Sequence, residues 1–518
     1  MTERRRKIEY GDFQTPSALA EEVCALLRRL DICPRTLIEP ACGEGSFLEA
    51  AARVLGKRAE YFGFDINPDY IRTTQRRMQQ SHPGLTVHLH TQDFFTFDWK
   101  AFLQGKAEPI LFVGNLPWVT NSVLGTLSAA NLPQKSNLKR LDGLDARTGK
   151  ANFDISEWML LKLMEAARQH DYVLAMLCKT GVARKTLEYQ WRNGATLPES
   201  ALYRIDTAKW FDASVDACLF VARSRSMHPA ERAAPFFTSL DTAVPTTRFG
   251  LIEGQMVSDV DAYRQLSPLS GIRYYRWRSG VKHDLAKVME LRIVDGRLRN
   301  GFGTEVDVED TCLYPLFKSS DIAKGLTVPE RYVLITQNAV GENTERLRAS
   351  APRAWHYLEQ HDALFTARKS SIYHGQPKYC LFGIGPYSFA PFKVAISGLH
   401  KTSRFTLLAP YRDRPALVDD TCYFVGSFDR KEACLLQDLL NSEITLRFLQ
   451  ASVFTDSKRP ITAEVLNRLD IKKVAEHLGR AEELAAFIQN GNVESNGQGL
   501  LVFDPSRQYA RDASSMDS

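Results

Sequence analysis

Apolar positions over the first 225 residues switch repeatedly between two periods. Between 17 and 30, Leu19, Val23, Leu26, Leu27 and Leu30 recur at the three- and four-residue spacing of one helical face. A strand-like run then leads to Leu37-Ile38, followed by Gly-rich sequence and a second helical stretch from Phe47. Tyr61–Phe64, Val87–Leu89, Ile110–Val113, Tyr172–Leu177 and Ala217–Ala222 are further strand candidates, separated by helical segments. That alternation predicts an α/β fold, a doubly wound parallel sheet over 1–225. Pro, Ser, Thr and Ala crowd the stretch from Ser224 to Arg248, so a linker is expected over 226–250. Beyond it, short runs (Tyr332–Ile335, Phe405–Leu408, Cys422–Val425) are broken by Gly and Pro, with helical stretches near 429–450 and 462–487. A second, α+β domain over 251–487 is predicted. Residues 488–518, apart from Leu500–Phe503, read as a loose polar tail.

Composition sharpens this only modestly. The 518 residues are 44% hydrophobic and 25% charged, enough for each domain to bury a core. A net charge of +5 permits a nucleic-acid partner without requiring one. The opening MTERRRKIEYGD is charged with no apolar stretch behind it, so no signal peptide is expected. The longest aliphatic run, Tyr172 to Leu177, is far short of a membrane span. Nine scattered cysteines include no Cys-x-x-Cys pair and read as free thiols in a reducing compartment. A cytoplasmic protein without a metal site is expected.

Candidate chemistry gathers at strand ends. In LIEPACGEGSFLEAA (37–51), Glu39 closes a strand and Gly43 and Gly45 precede a helix. Open α/β sheets bind ligands at such ends, where glycines admit close backbone approach. Asp65 in FGFDIN ends the next strand, where an acid accepts hydrogen bonds from ribose hydroxyls. Asp93 in HTQDFF ends the third, within reach of an adenine amino group. A tight βα turn explains the glycines alone, and a helix cap explains either acid alone. The ordered set of three is harder to obtain by chance. A dinucleotide fits poorly, because the third glycine of G-x-G-x-x-G is missing and Glu39 and Glu44 stand near its pyrophosphate. A zwitterionic sulfonium ligand, S-adenosylmethionine, is favoured.

After Ile110–Val113 comes Gly114-Asn115-Leu116-Pro117-Trp118. GNLPW resembles the Asn-Pro-Pro-aromatic motif of amino-group methyltransferases. With GDFQTPSALAEEVCALL, EPACGEGSF, FDINPD and QDFF in the same order, it resembles the gamma-class, TaqI-like adenine-N6 DNA methyltransferases over residues 10–225. The resemblance implies a Rossmann-like S-adenosylmethionine-dependent catalytic domain followed by a target-recognition domain. An adenine amino nitrogen is a poor nucleophile, and two acceptors on its N–H bonds stabilise the developing charge. The Asn115 side-chain oxygen and the Leu116 carbonyl are placed for that, with Pro117 shaping the turn. Trp118 offers a face for a base swung out of the duplex. The family usually has proline where this chain has Leu116, a swap expected to keep the chemistry and loosen the turn. The resemblance also implies cofactor contacts from Phe13, Gln14, Thr15, Pro16, Ala41, Ile66 and Phe94, and a second base contact from Phe211. A segment from Thr120 to Asn152 carries Lys135, Lys139, Arg140, Arg147 and Lys150 and reads as a flap beside the target pocket.

The second half carries basic-aromatic clusters: RYYRWRSGVKH (273–283), ARKSSIYHGQPKY (367–379), YSFAPFKVAISGLHKTSRF (387–405) and DSKRP (456–460). Candidate contacts to double-stranded DNA are Arg276, Arg278, Lys282, Arg368, Lys369, Lys393, Lys458 and Arg459. The expected enzyme is a monomer, with a separate restriction endonuclease as the other partner the resemblance allows. Cytosine-N4 methylation is the nearest alternative, although its motif more often starts with Ser or Asp. Cytosine-C5 chemistry needs a Pro-Cys pair, which this sequence lacks. Protein-glutamine and ribosomal-RNA methyltransferases lack so long a basic C-terminal domain, and a catalytically impaired DNA-binding subunit has only Leu116 in its favour. No Glu-x-Lys occurs, so no nuclease is expected within the chain.

Overall fold

The computed structural model describes residues 14–119, 154–194, 199–225 and 231–488, with short strands at 493–494 and 500–501. Phe13 and the expected flap lie outside the described residues. Two compact units meet at Val260/Asp261.

The first unit runs α1 (Ser17–Arg29), β1 (Thr36–Glu39), α2 (Ser46–Val54), β2 (Glu60–Asp65), α3 (Pro68–Ser81), β3 (Val87–Thr91), α4 (Trp99–Leu103) and β4 (Ile110–Asn115). After residue 153 come α5 (Ile155–Ala166), β5 (Tyr172–Lys179), α6 (Thr180–Arg192), β6 (Glu199–Ile205), α7 (Thr207–Phe211) and β7 (Ala217–Arg223). Strands β8 (Ala233–Phe237), β9 (Thr247–Ile252) and β10 (Gln255–Val257) complete it. The ten-stranded sheet has the order β10-β9-β8-β6-β7-β5-β4-β1-β2-β3. Strands β3, β2, β1, β4 and β5 are parallel, and β7 runs antiparallel between β5 and β6. The central strands are buried nearly end to end, which explains their unbroken apolar sequence. Leu19, Val23 and Leu27 of α1 and Phe47, Leu48 and Ala51 of α2 share one core with sheet residues Leu37, Leu111, Val113, Ala175 and Leu177. The fold is the doubly wound, Rossmann-like one expected.

Two differences stand out. Strand β6, unrecognised in the sequence, is mostly buried but interrupted by exposed Glu199 and Arg204. The expected linker over 226–250 instead carries β8 and the start of β9, and the sheet continues to Val257. Pro235 disguised this stretch, since proline supplies no ladder N–H. Pairing of β8 with β6 begins at Phe236, just after it.

The second unit is α+β, with one four-stranded and one five-stranded sheet. In the first, β11 (Phe392–Ser397) lies between β12 (Phe405–Leu408) and β13 (Cys422–Ser427). The expected helical stretches appear as shorter helices: Arg430–Asn441 and Glu443–Ser452, then Ala463–Leu466, Ile471–His477 and Ala481–Ile488. Val493–Glu494 pairs with Leu500–Leu501 inside the expected tail.

Lys393 overturns one expectation. It is the second residue of β11, 1% exposed, and its Nζ donates to the Ala390 carbonyl at 2.6 Å. A side chain so enclosed does not reach a phosphate. Burial lowers its ammonium to about 7, whereas the unfolded chain keeps it near 10.4. Between those values the unfolded state binds more protons, so this group adds stability as pH rises from 7 toward 10 and costs most below 7. Lys393→Met is therefore expected to raise the urea midpoint of the full chain at pH 7 and to flatten its rise toward pH 10. An unchanged pH dependence would contradict the buried charge.

Candidate active site

A cavity of about 590 Å³ opens at the carboxyl ends of β1, β2 and β4, beyond which the sheet order reverses direction between β1 and β4. Its walls include Glu39, Asp65, Asp93 and Asn115, four acids and amides contributed by successive strands or the turns after them.

The turn after β1 is held by backbone geometry. Gly43 and Gly45 have φ of +50° and +80°, a left-handed conformation that a side chain disfavours. At Gly43 a Cβ would come within 2.6 Å of Gln14 Oε1, which accepts a hydrogen bond from the Glu44 N–H at 3.1 Å. Asp65 ties this turn to the next. Its Oδ2 accepts from the Gly43 N–H at 2.9 Å and its Oδ1 from the Asn67 N–H at 2.8 Å. Asn67 in turn caps α3, whose first residue is Pro68.

Glu39 is 3% exposed, and its Oε2 accepts from the Leu48 N–H at 3.2 Å, pinning the first turn of α2. Burial holds its carboxyl well above the usual carboxylate range, against the opposing Leu48 N–H and with the support of nearby Asp65. Asp93 Oδ1 accepts from the Phe95 N–H at 2.8 Å, and Lys162 of α5 donates to the Phe95 carbonyl. This presents Phe94 and Phe95 to the cavity.

Of the residues predicted for the cofactor, Thr15, Glu39, Ala41, Gly43, Asp65, Ile66, Asp93, Phe94 and Asn115 line the cavity, as does Gln14. Pro16 precedes α1 and Gly45 precedes α2, both outside the lining. Asn67, Asp69, Tyr70, Gln92, Phe95, Val119, Ile155 and Met159 also line it and were not foreseen. Asn67-Pro68 was legible as a helix start, but Ile155 and Met159 arrive from a distant helix and left no local signal.

The tetrapeptide continues β4. Asn115 and Pro117 face the cavity, while Leu116, 1% exposed, is packed behind it. The Leu116 N–H donates to the Leu177 carbonyl at 3.3 Å, prolonging the β4–β5 ladder by one residue. The turn is thus tied rather than loosened, because leucine has the donor that proline lacks. Trp118 and Phe211 do meet, edge to face, with ring centroids 5.1 Å apart. Trp118 is 7% exposed in this arrangement.

The basic clusters divide. Arg276, Lys369 and Lys458 are exposed. Lys282 pairs with Asp284 at 2.8 Å and with Asp420 at 3.7 Å, and Arg459 also reaches Asp420. Arg368 donates to the Cys380 carbonyl and covers Tyr373, and Arg278 covers Tyr387. All four bond within the unit, Arg459 while staying exposed itself.

A general methyltransferase-domain model matches residues 35–124, the span holding all four wall residues. A type II methyltransferase, M.NspV of Nostoc sp. (strain ATCC 29411 / PCC 7524), is 41% identical over 91% of this chain and 98% of its own length. This chain belongs to the type II methyltransferases. The structure of MmeI, a type IIL restriction-modification enzyme solved in complex with DNA, is similar in fold at 11% identity. It has a TM-score of 0.56 over 98% of this chain and 74% of that one. S-adenosylmethionine is the cofactor of this methyltransferase, and a cavity walled by Asp65 and Asp93 is compatible with a ligand that carries ribose hydroxyls and a cationic sulfonium. When bound, it supplies an electrophilic methyl group. Among the described residues no helix is long and apolar enough to cross a membrane.

Asp65→Ala should weaken S-adenosylmethionine binding by about 10- to 100-fold, the worth of hydrogen bonds to a charged group. Isothermal titration measures this directly. Wild-type affinity in Asp65→Ala would remove Asp65 from the cofactor site.

Proposed function

We propose that this type II methyltransferase transfers a methyl group to N6 of an adenine flipped out of double-stranded DNA at a short specific site. The carrying observation is that Asn115 and Pro117 lie on the wall of the same cavity as Asp65 and Asp93. An amino nitrogen held there meets the Asn115 amide oxygen and the Leu116 carbonyl as acceptors for its two N–H bonds. Those bonds pull its lone pair out of conjugation and stabilise the cationic transition state. Much of the remaining rate comes from holding nitrogen and methyl carbon in line. Trp118 and Phe211, already in ring contact, are the aromatic partners of the extruded base, and part to admit it.

DNA is supported by the type II relative and by the exposed cations of the second unit, Arg276, Lys369 and Lys458. The reading assigns the chain the modification half of a restriction–modification pair, working with a separate endonuclease. It acts in the cytoplasm as a monomer.

Expression in a methylation-free bacterial host, followed by sequencing for modified bases, tests the base. N6-methyladenine confined to one short motif, and lost in Asn115→Ala, is expected. N4-methylcytosine would replace the adenine assignment, and an unmodified genome would reject both. The combined variant Arg276→Ala/Lys369→Ala/Lys458→Ala should weaken DNA binding and make the salt slope shallower by about 0.9 for each phosphate no longer neutralised. A slope equal to wild type would exclude these three cations from the DNA interface.

A further inference from the structure

We infer that Lys179 and Asp154 are positioning residues whose ion pair closes a ring of bonds around the catalytic segment 115–119. The inference rests on the proposal that Asn115 and Leu116 supply the acceptors. Three bonds make the ring. The Leu116 N–H donates to Leu177 of β5, and the Ile155 N–H of α5 donates to the Val119 carbonyl at 3.0 Å. Lys179, two residues beyond Leu177, donates from Nζ to Asp154 Oδ2 at 2.6 Å. Asp154 directly precedes Ile155, so the path returns to the segment it left.

Asp154 is unusually well fixed for this task. It caps α5, and its Oδ1 accepts from the Ser156 hydroxyl at 2.6 Å and the Ser156 N–H at 3.4 Å. That leaves Oδ2 aimed at Lys179. The Asp154 side chain is 8% exposed and that of Lys179 is 24% exposed, so solvent screens the pair weakly. A pair this sheltered contributes little net stability against an apolar replacement, so its role is taken to be geometric. That role is local. Asn115, Pro117, Val119 and Ile155 all line the cavity, so a shift of α5 against β5 changes where both acceptors stand. The ring also uses the Leu116 N–H, a bond that proline at this position cannot form.

The test uses the full chain and tritiated S-adenosylmethionine on DNA from the methylation-free host, under single-turnover conditions. Lys179→Met should slow methyl transfer on the order of 10- to 100-fold, the cost of a small misplacement. S-adenosylmethionine affinity should stay within about twofold, because the ion pair acts on transfer rather than on cofactor binding. Lys179→Arg should restore most of the rate. Asp154→Asn/Lys179→Met, which leaves no unpaired buried charge, should be folded and equally slow, and it decides the matter if the single variant does not fold. Wild-type rate in the double variant overturns the inference. So does a loss of cofactor affinity that parallels the loss of rate. Slow Asn115→Ala beside fast Lys179 variants rejects the ring and spares the acceptors. Undiminished methylation in Asn115→Ala rejects both.

Discussion

One carboxylate joins the two turns that shape the cavity. Asp65 takes the Gly43 N–H on one oxygen and the Asn67 N–H on the other, so the loop after β1 and the loop after β2 move as one body. Removing it would leave two backbone donors without that partner at a partly buried turn, each costing about 1–3 kcal/mol. The parallel register, with Glu39 opposite Gly63, brings the two loops side by side and makes the bond available. The turn glycines, the start of α3 and the cradle for the cofactor all follow from it. Glu39 plays a matching part, holding α2 through the Leu48 N–H while burial raises its carboxyl well above the usual carboxylate range.

The other wall is built on strand pairing. Strand β4 is flanked by β1 and β5, both parallel to it; β1 pairs as far as Phe112, and β5 follows to Asn115, where the tetrapeptide begins. From there Asn115 and Pro117 turn toward the cavity and Leu116 turns away, the alternation of an extended chain carried past the last strand residue. Functional side chains on so short and well-anchored an extension need no loop ordering to find their places.

What could be read from the sequence divides along physical lines. Central strands buried on both faces leave continuous apolar runs, and each was recognisable: β2, β4 and β5 within Tyr61–Phe64, Ile110–Val113 and Tyr172–Leu177. The acids at their ends were recognisable too, because strand ends carry position as well as residue type. Strand β6 was not, since exposed Glu199 and Arg204 break the run. Strand β8 was hidden by Pro235 and by a surrounding composition that resembles a linker. Lys393 was misjudged for a simpler reason. A lysine in a basic-aromatic cluster looks the same whether its strand faces solvent or core, and only the burial of β11 on both faces decides. Lys179 and Asp154 left no trace, for a pair formed across two elements has no spacing to recognise.

Leu116 carries a consequence of its own. A proline stiffens the backbone by its ring, and that constraint is present in the unfolded chain as well. The hydrogen bond from Leu116 to Leu177 exists only when β4 and β5 are assembled, so here rigidity is acquired on folding rather than built into the covalent chain. It also leaves an exchangeable proton within the proposed catalytic segment, where a proline would have none. The lifetime of that proton in heavy water is a clock for how often the segment lets go.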